Sequence, residues 1–220
     1  MAALPKEWSE ITMQNDLKRR ILELSFKYKL SHIGSCLSAV GIIEEIYKTK
    51  QPNEKFVLSS GHAGLALYCV IEKYEGIDAE KIWLHHGVHP DRCDECHLYC
   101  SAGSLGHGLG IAVGMALADR TKNVYCLISD GECMEGSIWE ALRIKVDNDV
   151  DNLKVYVNLN GYTAYGELDK DELVEKLVMF GVDRENIKRT TVEQLPFLKG
   201  VDAHYKVMSD EDYATAIQQI

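Results

Sequence analysis

Two residues of this chain have the type and spacing to share one hard cation, Asp130 and Asn160. Each follows a short apolar run, "CLIS" before Asp130-Gly131 and "KVYVNL" before Asn160-Gly161. A helix-length segment, "GSIWEALRIKVDN", separates the runs, so the stretch reads as a βαβ unit. In open parallel sheets ligands bind beyond the carboxyl ends of the strands. A carboxylate leaving one strand and an amide leaving the next could therefore meet at a single ion. Both are hard oxygen donors, which suits Mg²⁺ held to a phosphate-bearing ligand.

Histidines and glycines supply the rest of the candidate chemistry. His32 lies in "SHIG", a loop entering a helix, with Ser38 expected to cap "AVGIIEEIY". His62 follows a short strand, Phe56–Leu58, in the small-residue turn Ser59-Ser60-Gly61-His62 ahead of a helix. Such a turn directs backbone N–H groups and a positive dipole end outward, a natural anion site. Each histidine alone is as readily a capping or packing residue. Glycines 103, 106, 108, 110 and 114 lead into a small-residue helix and imply close backbone approach there. Glu132 and Glu135 lie at a helix start, where the dipole favours acids in any case.

These residues need a sheet and helices to place them, and the chain has the means. Its 220 residues suffice for one sizeable core, with 46% apolar and 26% charged residues. Apolar residues recur at helical spacing at Ile11, Leu17, Ile21, Leu24 and Leu30. "LDKDELVEKLVMFGV" is an amphipathic helix, "ENIKRTTVEQLPFLKG" a strand and loop, and "SDEDYATAIQQI" a final helix capped by Ser209. There is no repeat, low-complexity tract or flexible linker, and one domain over residues 1–220 is expected. Net charge is −10 with no basic stripe, which argues against nucleic acid or an anionic membrane as partner. No apolar run nears the ~18 residues of a membrane span, and "MAALPKEWSE" lacks the features of a signal peptide. Seven cysteines, an odd number, read as a reduced cytoplasmic set.

Taken in order, "SHIGSCLSAVGIIEEIY", "VLSSGHAGLALYCVI", "HHGVHPD", "GSLGHGLGIAVGMALAD", "SDGECMEGSIWEAL" and "NLNGYTAYG" resemble the N-terminal, thiamine-diphosphate-binding domain of transketolases. They are most similar to the separate N-terminal subunits of split transketolases. The thirty residues from Asp130 to Asn160 match the superfamily's thiamine-diphosphate motif. The resemblance implies an α/β fold, three layers with a central, mostly parallel sheet flanked by helices. It implies thiamine diphosphate and Mg²⁺ (or Ca²⁺) as cofactors, with Asp130, Asn160 and the carbonyl of Tyr162 as metal ligands. The Gly131 N–H would approach the diphosphate, and Gly103, Ser104 and Leu105 would contact the aminopyrimidine. His62 would lie near the reaction centre, and His32 and His89 would line the substrate channel. Glu135 would be a buried carboxylate coupling paired sites. The activity implied is transfer of a two-carbon ketol unit between sugar phosphates.

The chain also departs from that family. Ser129 replaces the first glycine of Gly-Asp-Gly, Leu159 replaces the first of paired asparagines, and the region between Phe180 and Pro196 is short. His204 in "DAHYKV" is a further candidate for the channel. The pyrimidine-binding and C-terminal domains are not within these residues, and with them the glutamate that activates the aminopyrimidine. The resemblance therefore implies a separate pyrimidine-domain partner subunit in a homodimeric or heterotetrameric assembly, and an inactive chain without it. The rival expectation is a non-catalytic or divergent thiamine-diphosphate binder acting with a different partner. A deoxyxylulose-phosphate synthase-like subunit fits less well, because "MEG" and "GSLGHG" favour the transketolase branch. Separately, Cys93, Cys96 and Cys100, with His97 or His89 beside them, include one C-x₂-C, half of a tetrahedral zinc set; surface-loop thiols are the default.

Overall fold

In the computed structural model, residues 6–163 and 166–220 are described, with side chains from residue 15 onward, so the Ile11 side chain lies outside the described residues. The helix α1 (Lys6–Lys27) buries Leu17, Ile21 and Leu24, the positions expected from their spacing. Helix α2 (Ile33–Thr49) begins earlier than expected. His32 stands at its N-cap in the left-handed region, φ 61°. Ser38 is therefore inside the helix and caps nothing: its hydroxyl donates to the Ser35 carbonyl at 3.0 Å.

The chain then alternates strands and helices. These are β1 (Lys55–Leu58), α3 (Gly64–Glu75), α4 (Ala79–His86), α5 (His107–Ala118), β2 (Val124–Ser129), α6 (Gly136–Asp147), β3 (Leu153–Leu159), α7 (Lys170–Met179), β4 (Ile187–Arg189) and α8 (Asp210–Gln219). The four strands form one parallel sheet in the order β1-β2-β3-β4. Parallel neighbours need crossovers, and the helices that make them cover both faces.

Alternation along β2 divides the core. Tyr125 and Leu127 face α1, α2, α3 and α8, whereas Val124, Cys126 and Ile128 face α5, α6 and α7. With both faces covered, all six residues of β2 are buried, which explains its unbroken apolar run. The outcome is the expected α/β arrangement of helices, sheet and helices. The parallel register sets the ends of β1, β2 and β3 side by side, so the turns after Leu58, Ser129 and Leu159 share one edge. Among the described residues no helix is long and apolar enough to cross a membrane.

Candidate functional site

Asp130 is the first residue after β2 and is fully buried. Its Oδ2 accepts from the Gly161 amide at 2.6 Å and its Oδ1 from the Gly131 amide at 3.0 Å. The first bond ties the end of β2 to the end of β3. Asn160, also buried, accepts from the Tyr162 amide through Oδ1 at 3.0 Å, which folds the chain back over the strand end. Gly161 is required here. Its φ is +98°, and a Cβ would lie 2.3 Å from Lys170 Cε. The resemblance gives the Gly131 N–H to a diphosphate; in the structure it serves the Asp130 carboxylate of its own turn. Burial raises the Asp130 carboxyl to about 6, against the pull of the Gly161, Gly131 and Asn160 amides and of Lys170. A carboxylate held this way gains from a cation.

These two strand ends open onto a cleft of about 170 Å³ that also receives His32, His62, His89, Gly103, Leu105, Tyr162 and His204. Several elements deliver them. His62 sits in a short 3₁₀ turn (Gly61–Ala63) between β1 and α3, and His32 precedes α2. His89 lies in the loop after α4, and Gly103 and Leu105 in the turn before α5. The His32 and His62 rings are 5.5 Å apart and those of His62 and His204 6.4 Å apart. His204 is fixed twice: its carbonyl accepts from the His32 amide at 2.7 Å, and its Nδ1 is 2.8 Å from Ser35 Oγ. His32 Nδ1 is buried without a hydrogen-bond partner, a polar atom aimed at the cleft that a ligand would satisfy.

Burial, together with neighbouring imidazoles, lowers His62 to about 3, and burial also lowers His32 and His204. These rings are neutral near pH 7. An anionic ligand at this site therefore meets backbone amides, Lys170 and any bound cation, not imidazolium charge.

The other expected residues distribute unevenly. Ser104 is exposed in the turn beside Gly103 and does not line the cleft. Glu135 is not buried within this chain; it is half-exposed at the N-cap of α6. The buried carboxylate is Glu132, to which spacing gave no role beyond the helix start. Its Oε1 accepts from Ser59 Oγ at 2.6 Å and the Gly106 amide at 2.9 Å, and its Oε2 from the Ser129 amide at 3.0 Å. It thus clamps the turns after β1 and β2 to the turn before α5. Its position just beyond Asp130, in an otherwise small-residue stretch, was the available signal. Tyr205 joins the cleft wall beside His32, with ring centroids 6.2 Å apart. A larger groove of about 440 Å³ between α6 and α7 is lined by Trp139, Leu173 and Phe180 and holds none of these groups.

Known proteins share this arrangement of sequence and fold. Residues 26–177 match the family described as transketolase, thiamine diphosphate binding domain. The transketolase of Homo sapiens is 35% identical over 150 residues, covering 59% of this chain and 24% of that protein. The chain thus matches about a quarter of the length of such mammalian relatives. A protein from Phocaeicola vulgatus, named as one of the subunits of an apulose-4-phosphate transketolase, is 27% identical over 256 residues, covering 92% of this chain and 90% of that one. The crystal structure of transketolase from Campylobacter jejuni superposes with a TM-score of 0.77 over 96% of this chain and 42% of its own, at 19% identity, a likeness of fold.

Proposed function

The chain belongs to the transketolase family, through its thiamine-diphosphate-binding domain, and from that premise we propose that it is the N-terminal subunit of a split transketolase. Asp130, Asn160 and the Tyr162 carbonyl would hold Mg²⁺ against the cofactor diphosphate. The observation that carries this is the Asp130–Gly161 bond, which joins two strand ends into one oxygen-lined cradle facing the histidines. The donor set suits the ion. It comprises a buried carboxylate whose charge lacks solvation, a buried amide oxygen, and a carbonyl 3.7 Å from where a Gly131 Cβ would project. Ca²⁺ is accommodated by the same donors.

When bound, thiamine diphosphate supplies the electron sink for breaking and making carbon–carbon bonds next to a carbonyl. This chain's residues would orient the reactants and exclude water from them. Gly103 and Leu105 shape the aminopyrimidine wall, with Ser104 beside them. His32, His62 and His89 would hydrogen-bond the sugar hydroxyls, and neutral rings both donate and accept, as proton transfer requires. His204 extends that set, so four histidines would serve the channel. Glu135, half-exposed here, would become the buried coupling carboxylate only against a second chain.

A partner is supported by the surface. Helix α5 is apolar all round, yet Gly110, Ile111, Gly114 and Leu117 are exposed along one side. The Phocaeicola relative is itself named as one of several subunits. We take the partner to be a pyrimidine-domain subunit packed on α5, in a homodimeric or heterotetrameric assembly. It would work in the cytoplasm, where the seven free cysteines stay reduced. The substrates would be sugar phosphates exchanging a two-carbon ketol unit.

The test is co-expression with a candidate pyrimidine-domain chain, followed by co-purification and a ketol-transfer assay. Activity is expected only from the pair and only with thiamine diphosphate and Mg²⁺. Turnover by the chain alone would refute the split-site reading. Cofactor binding without turnover by any pair would favour a non-catalytic homologue.

A further inference from the structure

We propose that His86, Cys93 and Cys96 form a binding site for a tetrahedral transition-metal ion, zinc in the first instance, that fastens the loop carrying His89. One ligand atom from each of the three lies within 4.8 Å of the other two. The cysteines come from a tight hairpin. Cys93 and Leu98 exchange both backbone hydrogen bonds, at 2.8 and 2.9 Å, and His97 turns the chain with φ 54°. A C-x₂-C folded this way presents two sulfurs to one point, as half of a tetrahedral zinc site does. The third donor comes from another element, the last residue of α4.

A second, independent observation marks the same place. His86 Nε2 is buried with no hydrogen-bond partner. An orphaned buried nitrogen costs about 1–3 kcal/mol, which coordination would relieve. The negative charge of Asp91 is felt at the His86 ring and favours a cation beside it. A tetrahedral ion would complete its shell with water or an added donor.

The set differs from the one that spacing suggests. Cys100 is buried with the core on the far face of the sheet, and its thiol donates to the Ser101 carbonyl at 3.2 Å. His97 Nδ1 pairs with Glu75. His89 packs against Gly103, whose Cβ position is 3.4 Å from His89 Cγ. None of the three is available as a ligand.

The consequence lies in what the ligands bracket. Between His86 and Cys93 runs the segment 87–92, which holds His89 and whose Pro90 carbonyl accepts from the Ala102 amide at 2.9 Å. An ion joining both ends would fix that segment onto the 100–106 turn. The metal site stands independently of the thiamine-diphosphate reading; only its effect on His89 rests on that reading.

The test uses the full chain, expressed with zinc and purified without immobilised metal. Elemental analysis should find one equivalent of zinc per chain. Cobalt(II) exchanged for zinc should give thiolate-to-metal charge transfer and the intense visible bands of a tetrahedral site. Cys93→Ser, Cys96→Ser and His86→Ala should each lose stoichiometric metal, whereas Cys100→Ser keeps it. Circular dichroism checks that each variant is folded. As a readout free of mutation, a chelator should lower the melting temperature of the wild type. Failure of the wild-type chain to take up zinc or cobalt would overturn the proposal, as would metal retained by the Cys93→Ser, Cys96→Ser double variant. A Cys93–Cys96 disulfide in freshly isolated protein would overturn it too.

Discussion

Glu132 makes the sharpest demand on this structure. Glu132→Ala removes the acceptor of two backbone donors that have no freedom to turn away, the Gly106 and Ser129 amides. The Ser59 hydroxyl can rotate to another partner. Each orphaned buried N–H costs about 1–3 kcal/mol. Burial also raises the Glu132 carboxyl above the usual carboxylate range, so losing that charge returns part of the cost. A net loss of about 3 kcal/mol is expected, or roughly 6–12 °C in melting temperature for a chain of this size. Glu132→Gln is milder. Its carbonyl still accepts from Ser59 and Gly106, and only the Ser129 amide faces a second donor, a loss of about 1 kcal/mol. The pH dependence separates the two effects. For a carboxyl whose folded pKa is raised, its stability contribution is present below the unfolded value and is lost as pH rises through the folded one. The advantage of wild type over Glu132→Gln should therefore narrow from the acid side upward. Urea melts across the acid range measure both quantities. A Glu132→Ala loss below about 1 kcal/mol, or a Glu132→Gln variant worse than Glu132→Ala, would refute the clamp.

Other expectations follow from the same cleft. With Asp130 at about 6, its ionised fraction falls from about nine-tenths at pH 7 to about one-tenth at pH 5. Calorimetric affinity for thiamine diphosphate with Mg²⁺ should thus weaken about tenfold over that range, and Asp130→Ala should abolish the Mg²⁺ dependence. His62, lowered from 6.5 to about 3, stays neutral in the folded chain while the unfolded chain takes a proton. Its contribution is therefore lost as pH falls below 6.5, at up to about 1.4 kcal/mol per pH unit, and His62→Gln should flatten the acid limb of a melting series. In α5, a Cβ at Gly108 would sit 2.6 Å from Ser59 Cα, so Gly108→Ala should cost about 1–3 kcal/mol. Gly110, with nothing near it, is the contrast: Gly110→Ala should stabilise the lone chain by up to about 1 kcal/mol yet weaken co-purification of a partner seated on that helix.

The strands, most helices and the anchoring pair were legible in the residues themselves. Apolar runs ending in Asp-Gly and Asn-Gly mark strand ends because burial on both faces demands an unbroken run and the turn demands glycine. Ser209 capped its helix as expected, with Asp212 completing the box. The thirty residues between Asp130 and Asn160 contain one crossover, so their meeting is a local matter of βαβ geometry. What spans the sheet was not legible. Glu132 serves Ser59, 73 residues away, and His204 reaches Ser35 across 169. Nothing in local spacing encodes such contacts. Glu135 and Glu132 look alike at a helix start, and only the fold shows that one is enclosed by three turns while the other faces outward. The cysteine cluster teaches the same lesson. C-x₂-C is written in the chain because a hairpin is local, but its third member is decided by where α4 ends. Spacing put Cys100 there; packing sent it to the opposite face of the sheet and brought His86 instead. Periodicity determined the elements and the residues at their ends, while the fields, partners and burial that make those residues chemical came from elements distant in sequence.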